Sequence, residues 1–123
     1  MRANGGVGVN TNSPAANTLT IGGSGLKVGT NGTTLARIQA AEALTGPSGA
    51  ALTQVTVTFA SAFSGTPPIL ATVRNDPAWG DVDDVFVVTV RSVSSTQFVA
   101  NILRVDSNGG WSQSPLLEWM AWE

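Results

Sequence analysis

The chain has 123 residues, with six basic and eight acidic side chains and no cysteine, histidine or tyrosine. Without thiol or imidazole it can build no zinc site, thiol nucleophile, Ser–His–Asp triad or imidazole proton shuttle, and no cofactor is expected. A formal charge of -2 and a charged content of 11%, far below the usual quarter, leave no electrostatic footprint for nucleic acid. No run of about 18 apolar residues occurs, so no membrane insertion is expected, and residues 1–20 lack the apolar stretch of a secretory signal.

Composition divides the chain near residue 50. Ten of the fourteen glycines precede it, and the only charges there are Arg2, Lys27, Arg37 and Glu42. Such a stretch buries too little side chain to fold alone. Small apolar pairs still recur between Gly and Asn punctuation: Val7 with Val9, Leu19 with Ile21, Leu26 with Val28, Leu35 with Ile38. They predict short strands that gain a core only by packing against neighbouring chains; the alternative is a disordered leader. Residues 34–44 have helical propensity, with Thr33 or Thr34 as cap and Gly46-Pro47 as stop, but alanine occurs all round. Local signals leave helix and strand open there.

From residue 51 onward the pattern has period two. Val55, Val57 and Phe59 alternate with Thr56 and Thr58, as in a half-buried strand. Pro67-Pro68 forces an extended entry into a strand at 69–73. A β-branched run at 85–93 follows the acidic turn Asp81-Val82-Asp83-Asp84, and 94–97 turns the chain into a strand at 98–105. Asp106-Ser107-Asn108-Gly109-Gly110 reads as another turn. The last strand, 116–122, sets Leu117, Trp119 and Ala121 against Leu116, Glu118, Met120 and Trp122. Apolar side chains on both faces predict a sandwich core on one side and a subunit interface on the other; the alternative is a central strand under a long loop. The fold expected is an all-β, small antiparallel sandwich.

Candidate site residues follow from this layout. Trp79 is flanked by Asp76 and Asp81, and Trp111 follows Asp106 and Asn108. A loop tryptophan beside carboxylates and amides suits a sugar, with the ring against C–H faces and the carboxylate accepting from hydroxyls. These six are the carbohydrate-binding candidates, and the two rings can instead cap the sandwich or fill an interface. Asp81, Asp83 and Asp84 are a weak calcium cluster without the glycine and closing Glu of an EF-hand, so a solvated turn and no metal are expected. Carboxylate pairs such as Asp76 with Asp81, or Asp106 with Glu118, raise glycoside hydrolysis, but a small sandwich without a deep cleft predicts a non-enzymatic protein. Arg37, Arg91 and Arg104 lie where partners are scarce, with Asp106 or Glu118 available. Together with Trp119 and Trp122 they are assigned to packing and assembly.

Several of these segments, taken in order, resemble the H-type lectin domain of snail agglutinins and discoidins. They are residues 57–63, Pro67-Pro68-Ile69-Leu70, residues 90–98 and Glu118-Trp119-Met120-Ala121-Trp122. The resemblance covers residues 53–123 and implies a six-stranded antiparallel sandwich, a trimer, and galactose or N-acetylgalactosamine bound near subunit boundaries. Where those lectins contact sugar through an arginine, a tryptophan and a histidine, this chain carries Val85, Val105 and Asp106. The family's own sugar contacts are therefore not carried over.

Residues 6–21, beginning Gly6-Val7-Gly8-Val9-Asn10-Thr11, resemble the glycine-rich repeat of bacteriophage tail and neck fibres. That likeness implies an intertwined trimeric shaft at 1–50 before a head at 51–123, and strand rather than helix at 34–44. Together the resemblances imply a virion fibre tip that attaches to a host cell-surface glycan, with other fibre or neck proteins as partners. The alternatives are a purely structural knob and a free-standing extracellular lectin.

Overall fold

The computed structural model describes residues 7–9, 19–21, 26–27, 34–76, 78 and 84–123, and divides into two units, Met1–Arg37 and Ile38–Glu123. In the first unit β1 (Val7–Val9) pairs in parallel with β2 (Leu19–Ile21), and β3 (Leu26–Lys27) pairs antiparallel with β4 (Thr34–Leu35).

The second unit is all-β, with three small antiparallel sheets arranged as a broad sandwich. One sheet has the order β5 (Ile38–Leu44), β12 (Leu116–Trp122), β8 (Ile69–Arg74). The other has the order β7 (Leu52–Thr58), β10 (Gln97–Arg104), β9 (Phe86–Arg91). A short pair, β6 (Ser48–Ala50) with β11 (Gly109–Trp111), completes it. The strands expected from period two are all present.

Residues 38–44 are strand because β12 offers them a continuous antiparallel edge, from Leu116 opposite Leu44 to Trp122 opposite Ile38. Pairing overrides the helical preference of alanine. For the same reason the compact unit begins at Ile38, ahead of the compositional break at residue 50. The expected turn at Gly109-Gly110 is corrected to strand. Gly109 sits opposite Ala50 and Trp111 opposite Ser48, and a Cβ on Gly110 would land on the Ser48 carbonyl. Only glycine permits this close an approach.

Alternation fills the core. Phe98, Ala100 and Ile102 of β10 and Leu117 and Ala121 of β12 are all fully excluded from water. Val57, Phe59, Phe63 and Trp119 join them, and Phe59 lies 4.9 Å edge-on to Phe63 and 5.6 Å from Trp119. Trp119 is thus a core residue, in keeping with the packing role expected of it. On the other face of β12, Leu116, Glu118 and Trp122 are half-buried. Met120 is 36% exposed there, with Leu70 at 63% beside it in the register.

Residues 38–123 alone should unfold cooperatively, whereas residues 51–123, which lose β5 and leave one edge of β12 open, should aggregate or melt without a transition. Circular dichroism melts of the two chains check this. Gly110→Ala should cost about 1–3 kcal/mol through backbone overlap. Gly109→Ala, whose Cβ would meet only Ser107 Oγ at 3.5 Å, should cost less than about 1 kcal/mol in the same denaturant titration.

Candidate functional site at the loop end of the sandwich

All six carbohydrate-binding candidates belong to two connections, β8 to β9 and β10 to β12. Trp79 and Asp81, like Asp83, lie outside the described residues. What is described is the frame that holds their loop. Asn75 and Asp84, nine positions apart, are joined by the Asn75 Nδ2 donating to the Asp84 carbonyl at 3.1 Å. Gln113, 1% exposed, sits inside this neck. Its Nε2 donates to Asp84 Oδ2 at 2.7 Å, and its Oε1 accepts from the Asp76 N–H at 2.9 Å. The Asp76 carboxylate caps two backbone donors, Ala78 at 2.9 Å and Ser114 at 3.4 Å. An Asp accepting from the amide two residues on is the turn chemistry this residue favours.

Beside the neck stands Arg104, at the end of the central strand β10. Its Nη2 meets Asp84 Oδ1 at 2.6 Å and Asp106 Oδ2 at 2.8 Å, and its Nη1 donates to the Gly110 carbonyl at 2.7 Å. Asp106 Oδ1 also accepts from the Val85 N–H at 2.9 Å. The guanidinium therefore ties β9, β10 and β11 together within one chain. Its expected pairing between subunits is corrected: Asp84, Asp106 and the Gly110 carbonyl all belong to its own chain. The Arg104 hydrogen bond, followed by that from Val85, lowers the Asp106 carboxyl to about 2.

Trp111 is also corrected. Its ring is 4% exposed and packs edge-to-face on Phe86 at 5.0 Å, and its Nε1 donates to the Gly46 carbonyl at 2.9 Å. No face is free for a sugar to stack on. Gly46 itself has a φ of 70°, a left-handed turn that glycine takes without a steric penalty. Asn108 is exposed at the tip. Val85 and Val105, at 51% and 50%, leave an apolar surface beside Asp106.

Of the two candidate carboxylate pairs, Asp106 and Glu118 are separated by the fold. Glu118 lies on the outer face of the other sheet, where its Oε1 accepts from Arg74 Nε at 2.7 Å, while Asp106 is held by Arg104. Asp106 and Glu118 therefore do not face each other across a cleft, and Asp81, the partner considered for Asp76, lies outside the described residues. Among the described residues no group of three acidic side chains is placed to hold a metal ion, and Asp84, from the weak calcium cluster, is engaged by Arg104 and Gln113. Arg91 is exposed, its Nε donating to Ser92 Oγ at 3.4 Å, and Arg37 is exposed in the link before β5. Trp122 is half-buried on the outer face of β12.

Sequence reasoning missed Gln113, Asn75 and Arg74. The signal for Arg74 was strand parity: opposite Leu116 in the register, it lies two positions from Glu118 and so on the same face.

Because the Asp106 carboxyl is depressed in the folded chain, its stabilisation is complete above the ordinary carboxylate pKa of about 4. It is lost as pH falls through about 2. Asp106→Asn should flatten the fall in melting temperature between pH 4 and pH 2, measured by thermal melts across that range.

No protein-family model matches this chain, and no curated protein matches it. The H-type lectin resemblance thus has no family match behind it. Two solved structures do match in three dimensions. The tailspike gp61 of Pseudomonas phage phi297 superposes with a TM-score of 0.60 at 17% identity, over 87% of this chain and 21% of that one. The tailspike protein gp49 from Pseudomonas phage LKA1 superposes with a TM-score of 0.58 at 14% identity, over 98% of this chain and 20% of that one. The chain spans about a fifth of the length of each. The likeness is one of fold: this all-β architecture is distantly similar to part of phage tailspike proteins.

Proposed function

We propose that this chain is a non-enzymatic, homotrimeric receptor-binding domain of a phage fibre or tailspike, attaching the virion to host cell-surface carbohydrate. The observation that carries the reading is the fold shared with two phage tailspikes. The glycine-rich first unit supports it, since such a segment gains a core only among neighbouring copies. So does the clamped neck at Asn75, Asp84 and Gln113, which holds together the two chain ends between which Trp79 lies in sequence. Weak single sites become useful when three act together on a repetitive surface.

The buried Trp111 and the mutually satisfied carboxylates around Arg104 favour a second reading, a structural knob without a ligand at this end. A glycan array probed with the full chain, together with binding to intact host cells, separates the two. The attachment reading expects retention that Trp79→Ala lowers at least tenfold and that an Asn108→Ala, Asp76→Asn pair weakens further. The absence of binding to any polysaccharide or host cell would leave the knob.

A further inference from the structure

Nine large apolar side chains are exposed among the described residues, and they fall into two groups. Leu52, Val85, Val87, Leu103 and Val105 gather at one end of the β7–β10–β9 sheet and its adjoining loops. Ile38, Leu44, Leu70 and Met120 lie instead on the outer face of β5–β12–β8, where Met120 is opposite Leu70, Ile38 is opposite Trp122 at the same end, and Leu44 is opposite Leu116 at the other. We infer that this second face is where copies of the chain meet, each covering the face with a second copy of itself. The inference rests on the homotrimeric reading above and names the surface that reading needs.

Charge points to the occupant. The described ionisable side chains on this face are Arg74, Glu42 and Glu118, and they engage one another. Arg74 reaches Glu118 at 2.7 Å and Glu42 at 3.3 Å, a row that runs across all three strands. With its charges already joined, the face offers no unpaired group to a charged ligand, and covering it strands no lone ion. What it fits is an apolar, charge-poor surface, and a chain with only 11% charged residues supplies one. A shallow depression of about 190 Å³ between Leu70, Thr72, Glu118 and Met120 has room for an aliphatic side chain of the kind the face projects. Leu44, 70% exposed, is the most prominent of these.

Area sets the stoichiometry. Three strands of about seven residues span roughly 14 Å by 24 Å, or about 340 Å² of flat face. That is the whole face with its charged row included, and its apolar part is smaller. It falls short of the roughly 800 Å² per partner in a stable pair. One face on one face therefore holds weakly. Several copies closing on one another, each contributing such a face, hold firmly.

The test is light scattering on the full chain at about 100 µM, with circular dichroism to verify folding. Wild type should be a multimer. Leu70→Asp should lower the mass to that of one chain with an unchanged spectrum, and Leu52→Asp on the other sheet should leave the multimer intact. Because the chain has no cysteine, Met120→Cys with a spin label gives an independent readout. Label-to-label distances under about 25 Å are expected, and only there, not at Leu103→Cys. A monomeric wild type overturns the inference, as does a multimer indifferent to Leu70→Asp or equally lost with Leu52→Asp. The function stands or falls separately: a monomeric Leu70→Asp chain that still binds glycan per chain supports attachment. A multimer that binds no glycan supports the face while removing the receptor reading.

Discussion

Two central strands, β10 and β12, face each other across the core with alternate residues drawn wholly out of water, and the compact unit is built around that contact. Phe98 on one strand meets Trp119 on the other with ring centroids 5.7 Å apart. Each strand then needs a neighbour on both edges to satisfy its backbone. β7 and β9 flank β10, and β5 and β8 flank β12. Every other assignment follows from filling those four places. The requirement is strict because a slip of one residue would turn the buried set outward.

That constraint also explains how much of the fold could be read in advance. β7, β8, β9, β10 and β12 carry their own alternation, so the parity of Val57, Val73, Val88, Phe98 and Leu117 already tells inside from outside. β5 carries almost none. Its Ala40, Ala41 and Ala43 look alike in a helix and in a strand, and only the vacant edge of β12 decides between them. The short pair β6–β11 was hidden for a different reason. Two glycines signal a turn locally, and their use in a close backbone approach depends on Ser48, far away in the chain.

The site was less legible than the fold. A tryptophan next to Asn108-Gly109-Gly110 reads as a loop residue until β11 turns its ring in against Phe86. Arg104 and Asp106, two apart at a strand end, can be paired by inspection, but Asp84 joins them only after β9 is laid beside β10. Gln113 has no sequence signal at all: a glutamine among serines becomes the most buried polar group because the neck of a loop closes on it. The carboxylates that invited a chemical reading are spent on holding the frame.

The order of the strands along the chain has a consequence in time. β5 and β8 flank β12 but precede it, and about seventy residues lie between Leu44 and its partner Leu116. At roughly 5–20 residues per second of synthesis, β5 waits some 4–14 seconds for its neighbour. During that interval β5 is a strand edge with no ladder, and so is β8. Nascent chains on one message stand close together, and the first edge such a strand meets can belong to another copy. A domain whose middle strand arrives last is thereby exposed to strand exchange between copies before any finished surface exists.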